Sequence, residues 1–242
     1  MTSKIKVLNL DSGLGGNAAL WPRDRVEVTS VEIRDDLCQF YQDRFPDDTV
    51  ICGDAHQYLL ENYAEYDFIW TSPECPTHGQ YRYRVGVLGK GFDAVYPDMQ
   101  LYQRIILLHH HHKGKYCVEN TISYYEPLIE SQKIHRHYFW ANFNIAPISL
   151  SADGIRSRNT ISAMEELRGI DLSGYEIADK RKCLRNCTNS ELGLHVLKCA
   201  YPDIFAIEAE TRIELVSTMP QDQKLEQVKV SGFREIRQSS LF

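Results

Sequence analysis

No apolar stretch of this chain approaches the roughly 20 consecutive residues that span a bilayer, although 43% of its 242 residues are hydrophobic. That excludes a helical membrane protein. No charged start leads through an apolar region to a small-residue cleavage site; Met1, Thr2 and Ser3 run directly into a strand-like stretch. A cytoplasmic protein is expected. Basic charge is not in excess either: 27 Lys and Arg against 33 Asp and Glu leave a net −6. Such a balance gives no general affinity for polyanions, but it permits a local basic face. Repeats and low-complexity linkers are absent, which leaves one large domain or a domain plus a lobe. Cysteines 38, 52, 75, 117, 183, 187 and 199 are odd in number and irregularly spaced. They read as small buried hydrophobes of a reducing compartment rather than a disulfide framework.

The first half alternates strand and helix signals. Residues 4–10, 26–33, 49–52, 66–72 and 116–119 read as strands. A helical turn begins at 17–20, Leu37, Phe40, Tyr41 and Phe45 have helical spacing, and residues 98–111 form a further helix. Alternation of this kind predicts an α/β fold with a doubly wound, mostly parallel sheet. Each strand ends in a small or acidic residue, all at one edge, where open α/β sheets bind ligands. The second half is less regular: strands at 138–145 and 156–163, a helix at 183–197, and a polar tail with a possible strand at 228–230. The expected division is 1–150 for cofactor binding and catalysis, 151–200 for a small lobe, and 201–242 as an extension.

Two constellations carry chemistry. The first is the turn Asp11-Ser12-Gly13-Leu14-Gly15-Gly16 after the first strand. Glycines there let the backbone approach a ligand. Glu32 ends the next strand about twenty residues on, where a carboxylate holds ribose hydroxyls; Asp54 ends the third strand and suits an adenine amino group. Together they suggest an adenosine-containing cofactor, and the turn lacks dinucleotide spacing. A structural turn with two surface acids is the plainer alternative. The second constellation is Ser72-Pro73-Glu74-Cys75-Pro76 with Glu119-Asn120. A thiol in a loop at a strand end is accessible as a nucleophile, and if the fourth and fifth strands are neighbours, a carboxylate meets it over one pocket.

Taken together these residues resemble the cytosine-5 DNA methyltransferases. The family's D-L-F-S-G-x-G-G motif is similar to residues 9–16, its ribose acid to Glu32 and its adenine aspartate to Asp54. Its S-P-P-C-Q loop resembles residues 72–76, its E-N-V motif residues 119–121, and its Q-x-R-x-R strand, in part, residues 154–158. Its G-N-S-V segment resembles residues 185–188. The motifs keep the family's order over about residues 4 to 200. Asp11, Glu74, Pro76 and Gly154 depart from the pattern, and only 27 residues separate Arg158 from Asn186, where the family carries a long target-recognition region.

The resemblance implies a Rossmann-like fold of the S-adenosylmethionine-dependent methyltransferase type with a small C-terminal lobe. It implies S-adenosyl-L-methionine as cofactor and double-stranded DNA as partner, with a monomer or small homo-oligomer expected and no metal. Cys75 would attack carbon 6 of a flipped cytosine. Glu119, protonated in a partly buried site, would hold ring nitrogen 3, and Arg156 and Arg158 would fix the base and the loop. Asp11, Ser12, Gly13, Leu14, Gly15, Glu32, Ile33, Asp54, Ala55, Pro73 and Asn186 would bind the cofactor. The same chemistry on RNA, a modified one-carbon group, and a non-catalytic module keeping the cofactor fold are the rival readings.

Residues 79–91, glycine-rich with Tyr81, Arg82, Tyr83 and Arg84, read as a mobile loop suited to bases and phosphates. Lys180, Arg181, Lys182 and Arg185 form a second basic cluster. Four consecutive histidines, 109–112, point in different directions on a helix and do not form one metal site. Cys183, Cys187, His195 and Cys199 have zinc-like spacing, but helix phase explains Cys183 and Cys187 as buried small residues, and Cys187 falls inside the segment that resembles the cofactor motif.

Overall fold

The computed structural model describes residues 3–150, 155 and 158–205. The chain divides into two compact units, Met1–Ala200 and Tyr201–Phe242.

Seven strands form one sheet: β1 (Ile5–Leu10), β2 (Val26–Glu32), β3 (Thr49–Cys52), β4 (Phe68–Thr71), β5 (Lys115–Thr121), β6 (Gln132–Ile134) and β7 (His137–Ala141). Their spatial order is 3-2-1-4-5-7-6. β1 to β5 are mutually parallel, and β7 is antiparallel to both β5 and β6. The chain therefore has a doubly wound, mostly parallel, Rossmann-like α/β fold. β1 and β4 are buried almost throughout because both faces of a central parallel strand are covered.

Helices α1 (Asp35–Arg44), α2 (Ala55–Asn62), α3 (Leu88–Lys90), α4 (Gln100–His111), α5 (Ile161–Arg168), α6 (Lys180–Asn186) and α7 (Ser190–Ala200) complete the unit. On one face of the sheet, Leu101, Ile105 and Leu108 of α4 make an apolar stripe at helical spacing. They pack with Leu59 of α2 on Leu8, Leu10, Ile69 and Val118. Each such side chain, fully buried, contributes about 1.5–3 kcal/mol. On the other face Trp21 lies 6.3 Å, centroid to centroid, from both Phe68 and Trp70 and donates from Nε1 to the Gly193 carbonyl in α7. A second cluster joins Leu37 and Phe40 of α1 to Met164 of α5 and Leu184 of α6, around Leu14.

Several expectations change. The segment after β1 is a series of turns, with no regular helix before β2. Residues 79–91 are wound rather than open: a π-helical stretch, Arg82–Val87, runs into α3 and stops at Gly91 in the left-handed conformation (φ +68°). Of the strand expected at 156–163, residues 156 and 157 lie outside the described residues, and from Ile161 the chain is α5 instead, capped by the Thr160 hydroxyl, which accepts from the Ala163 N–H at 3.2 Å. The helix expected at 183–197 is two helices, broken where Asn189 Oδ1 accepts from the N–H groups of Glu191 and Leu192. β7 ends at Ala141. The possible strand at 228–230 lies outside the described residues. Cys38 of α1 and Cys52 of β3 are joined as a disulfide, Cα atoms 6.0 Å apart, rather than standing as separate small hydrophobes.

Candidate functional site

A cleft of about 880 Å³ opens at the carboxyl edge of the parallel strands. Its first side is built by β1, β2 and the start of α2. The turn after β1 brings Gly13 N–H within 2.8 Å of Glu32 Oε2, and the Arg34 N–H donates to Oε1 at 3.0 Å. Glu32 is almost fully buried, and burial raises its pKa against those amide bonds. Asp54 caps α2, its Oδ1 accepting from the Gln57 and His56 N–H groups, which hold its carboxyl below the usual range. Gly13 has a positive φ of +52°, and a side chain added there would meet open space.

The set fits an adenosyl group. Two carboxylates stand at adjacent strand ends, and the Ser12 hydroxyl is buried with no hydrogen-bond partner among the described residues. Ile33, Ala55, Leu14 and Pro73 add apolar lining, and Asn186 enters from the end of α6. Close packing makes this possible, since a Cβ on Gly16 would lie 2.2 Å from the Thr188 carbonyl oxygen. Gly15 does not line the cleft; a Cβ there would strike the rings of Phe45 and Tyr41. Asp11 (φ +56°) lines the cleft but is paired with buried Arg104, which also donates to Thr71 Oγ1 at 2.6 Å.

The second side is built by β4 and β5, which are parallel neighbours. Cys75 and Glu119 both line the same cleft as Glu32. Asn120 Nδ2 donates to the Pro73 carbonyl at 2.9 Å and so ties the end of β5 to the thiol loop. The Cys75 carbonyl accepts from the N–H groups of His78 and Gly79, both at 3.0 Å, which turns the chain sharply after the thiol. Burial, then the charge of Glu119, pushes the thiol up to about 11. The next segment is anchored by His78, 1% exposed, whose ring meets Tyr125 Oη at 2.5 Å and the Asp98 carbonyl at 3.0 Å. It presents Tyr81, 65% exposed, and Tyr96, 95% exposed, with Arg82, Arg84 and Lys90.

Burial alone would raise the Glu119 carboxyl, but the charge and hydrogen bond of His137, with the Ser72 hydroxyl, bring it below the usual carboxylate range. This changes the expected protonated Glu119 into a carboxylate paired with the His137 ring. His137 is a residue the motifs did not flag, as are His135 and Arg136 at the turn between β6 and β7, which also line the cleft. The signal was a His-Arg-His run between two short strands. Arg158 is exposed in a turn and is not among the lining residues, and Arg156 lies outside the described residues. Among the described residues no group of three or more His, Cys, Asp or Glu is arranged to hold a metal ion; Cys183 accepts from Arg34 at 3.3 Å instead.

No protein-family model and no curated protein matches the sequence. Among solved structures the chain is similar to an S-adenosylmethionine-dependent methyltransferase from Agrobacterium tumefaciens, at 16% identity and a TM-score of 0.38, over 52% of this chain and 41% of that one. It is also similar to the methyltransferase EhMeth from Entamoeba histolytica, at 9% identity and a TM-score of 0.49, over 84% and 99%. A third is a candidate DNA modification methyltransferase encoded within an E. coli prophage, at 19% identity and a TM-score of 0.34, over 51% and 34%. The fold itself stands on the strand order described above.

Proposed function

We propose that this protein is an S-adenosylmethionine-dependent methyltransferase acting on carbon 5 of cytosine in double-stranded DNA. The observation that carries the reading is that the ends of neighbouring strands β4 and β5 put Cys75 and Glu119 into one cleft with the Gly13–Glu32 cradle.

Glu32 and Asp54 would take the ribose hydroxyls and the adenine amino group, with Ser12 and the Gly13 backbone closing on the rest. The bound cofactor supplies an electrophilic methyl group. A base inside a duplex is out of reach, so the cytosine would be flipped into the cleft. The Cys75 thiolate bonds to carbon 6, and the ring electrons move toward carbon 5 as nitrogen 3 takes a proton at Glu119. Carbon 5 then accepts the methyl group. Loss of its proton re-forms the carbon 5–carbon 6 double bond and expels Cys75. The tyrosines and arginines beyond the thiol suit stacking on bases and contact with phosphates.

The test is transfer of tritiated methyl from S-adenosylmethionine to mixed-sequence DNA, with product nucleosides resolved, for wild type and Cys75→Ser. Label in 5-methylcytosine from wild type alone supports the reading. Label in RNA only, or in no nucleic acid while the cofactor still binds, removes it.

A further inference from the structure

Methylation at carbon 5 through a carbon 6 adduct needs a proton lent to ring nitrogen 3 for the life of the adduct. Glu119, the group placed to deliver it, is a resting carboxylate. We propose that His137 stores this proton, so that Glu119 and His137 act as a dyad that lends one proton to the base and recovers it. The inference rests on the cytosine-5 reading, and His137, acting through Glu119, is a positioning residue.

The geometry comes from the antiparallel end of the sheet. Glu119 pairs with Phe139 and Thr121 pairs with His137 across β5 and β7. Glu119 and His137 are therefore diagonal neighbours on one face, within reach of each other. His137 Nδ1 meets Glu119 Oε1 directly, and the Glu119 side chain is 8% exposed. The carboxylate's other side-chain partner is the Ser72 hydroxyl, which itself accepts from Trp70 Nε1 at 2.8 Å. A hydroxyl relays a proton but does not store one near neutral pH; an imidazole does. Asn120, next in sequence, is occupied by Pro73 and by the Thr121 N–H.

The charged and titratable groups that line the cleft with His137 include Glu119 from β5, Glu74 and Cys75 from the loop after β4, Tyr81 and Asp98 beyond it, and His135 and Arg136 from its own hairpin; the cofactor side adds Asp11, Glu32, Arg34, Asp54 and Arg104, and the helices α5 and α6 add Arg168, Lys182, Cys183 and Arg185, with Cys187 just after them. Arg136 is permanently charged and holds no exchangeable proton at these pH values. His135 occupies the exposed hairpin turn at φ +54°. His137 alone of these combines an imidazole with direct contact to the buried carboxylate.

The proton account closes. Before attack the cleft holds imidazolium, carboxylate and thiolate. As the sulfur–carbon 6 bond forms, nitrogen 3 takes the dyad's proton and His137 becomes neutral. After methyl transfer, carbon 5 loses its proton to solvent, the sulfur–carbon 6 bond breaks, and the nitrogen 3 proton returns through Glu119 to His137.

Two measurements on the full chain test the dyad. In ¹⁵N-imidazole titrations, His137 should lose its proton above the ordinary histidine value of roughly 6.5, and Glu119→Gln should lower that midpoint. In single-turnover methylation of duplex DNA at saturating cofactor, the wild-type rate should rise about tenfold per pH unit as thiolate forms. It should then level off at the His137 midpoint, because further thiolate is offset by loss of the dyad proton. His137→Asn keeps an N–H for the carboxylate but cannot store a proton. It should bind cofactor normally, be slowed about 10²-fold near pH 7, and rise without the plateau through about pH 9. Added imidazole should partly restore His137→Ala.

A His137→Asn enzyme with the wild-type plateau and a rate within about threefold overturns the dyad, as does a His137 midpoint indifferent to Glu119→Gln. If wild type transfers no methyl to cytosine and forms no Cys75 adduct on a 5-fluorocytosine duplex, the cytosine-5 reading fails even with coupled titration, and the proton-lending role falls with it.

Discussion

The two sides of the cleft are held by different chemistry. On the cofactor side the acids are fixed by main-chain amides: Glu32 by Gly13 and Arg34, Asp54 by His56 and Gln57. On the reaction side, Cys75, Glu119, His137 and Ser72 set one another's state through side chains. The amides that grip these acids do not titrate in the neutral range, whereas the thiol and the imidazole of the reaction side change state there or just above it. One side is thus a fixed receptor, while the other changes with pH and with each proton moved. Cofactor affinity should stay nearly flat from about pH 6.5 to about pH 8.5 while turnover climbs about tenfold per unit with the thiolate of a thiol pushed up to about 11, until it levels at the His137 midpoint. Affinity and single-turnover rate measured on the same samples check this; parallel pH profiles would erase the distinction.

Substitutions sharpen the contrast. Cys75→Ser should abolish transfer, a loss beyond roughly 10⁴-fold, with the cofactor dissociation constant within about twofold of wild type. Loss of cofactor binding in that variant would show that the thiol loop belongs to the receptor side. Glu119→Gln should cost roughly 10²–10³ in single-turnover rate, again with binding intact; near-normal turnover takes Glu119 out of the mechanism. Glu32→Gln should do the reverse. A hydrogen bond to a charged group is worth about 1.5–3 kcal/mol, so affinity should weaken about 10- to 100-fold while the rate at saturating cofactor stays close to wild type. A rate loss at saturation would couple the two sides.

The same division governs what the sequence disclosed. The cofactor side was legible because the short strand-like runs β1, β2 and β3 each stop at or just before an acid, Asp11, Glu32 and Asp54, so the edge can be read from where each run stops. Cys75 and Glu119 were legible for the same reason. His137 was not. Its partner strand β6 is only Gln132–Ile134, too short for alternation to register, and antiparallel pairing beside Glu119 is a property of the assembled sheet. The winding of residues 79–91 was hidden by glycines that usually mark loops. Two cap signals were present but outweighed by apolar spacing: Thr160 before α5, with Gly169 in the left-handed conformation after it, and Asn189 before α7. The Asn189 break matters for the site, because it brings Cys187 and Thr188 back against Gly16.

The smallest effect is expected where charges are exposed. Lys182 Nζ lies 4.0 Å from Glu74 Oε1, with side chains 50% and 78% exposed. Exposed pairs are worth about 0–1 kcal/mol. Burial leads the rise of the Cys75 thiol, Glu119 follows, and Lys182 opposes them only weakly. Lys182→Ala should therefore slow transfer less than about threefold at 0.15 M salt, and Glu74→Gln should speed it by a similar factor. A tenfold loss in Lys182→Ala can arise in two ways that salt separates. If the loss appears in duplex affinity and fades as salt rises, Lys182 meets phosphate. If it persists at saturating duplex and in high salt, exposed charge rather than burial sets the thiol, and the reaction side is less sheltered than its buried Glu119 implies.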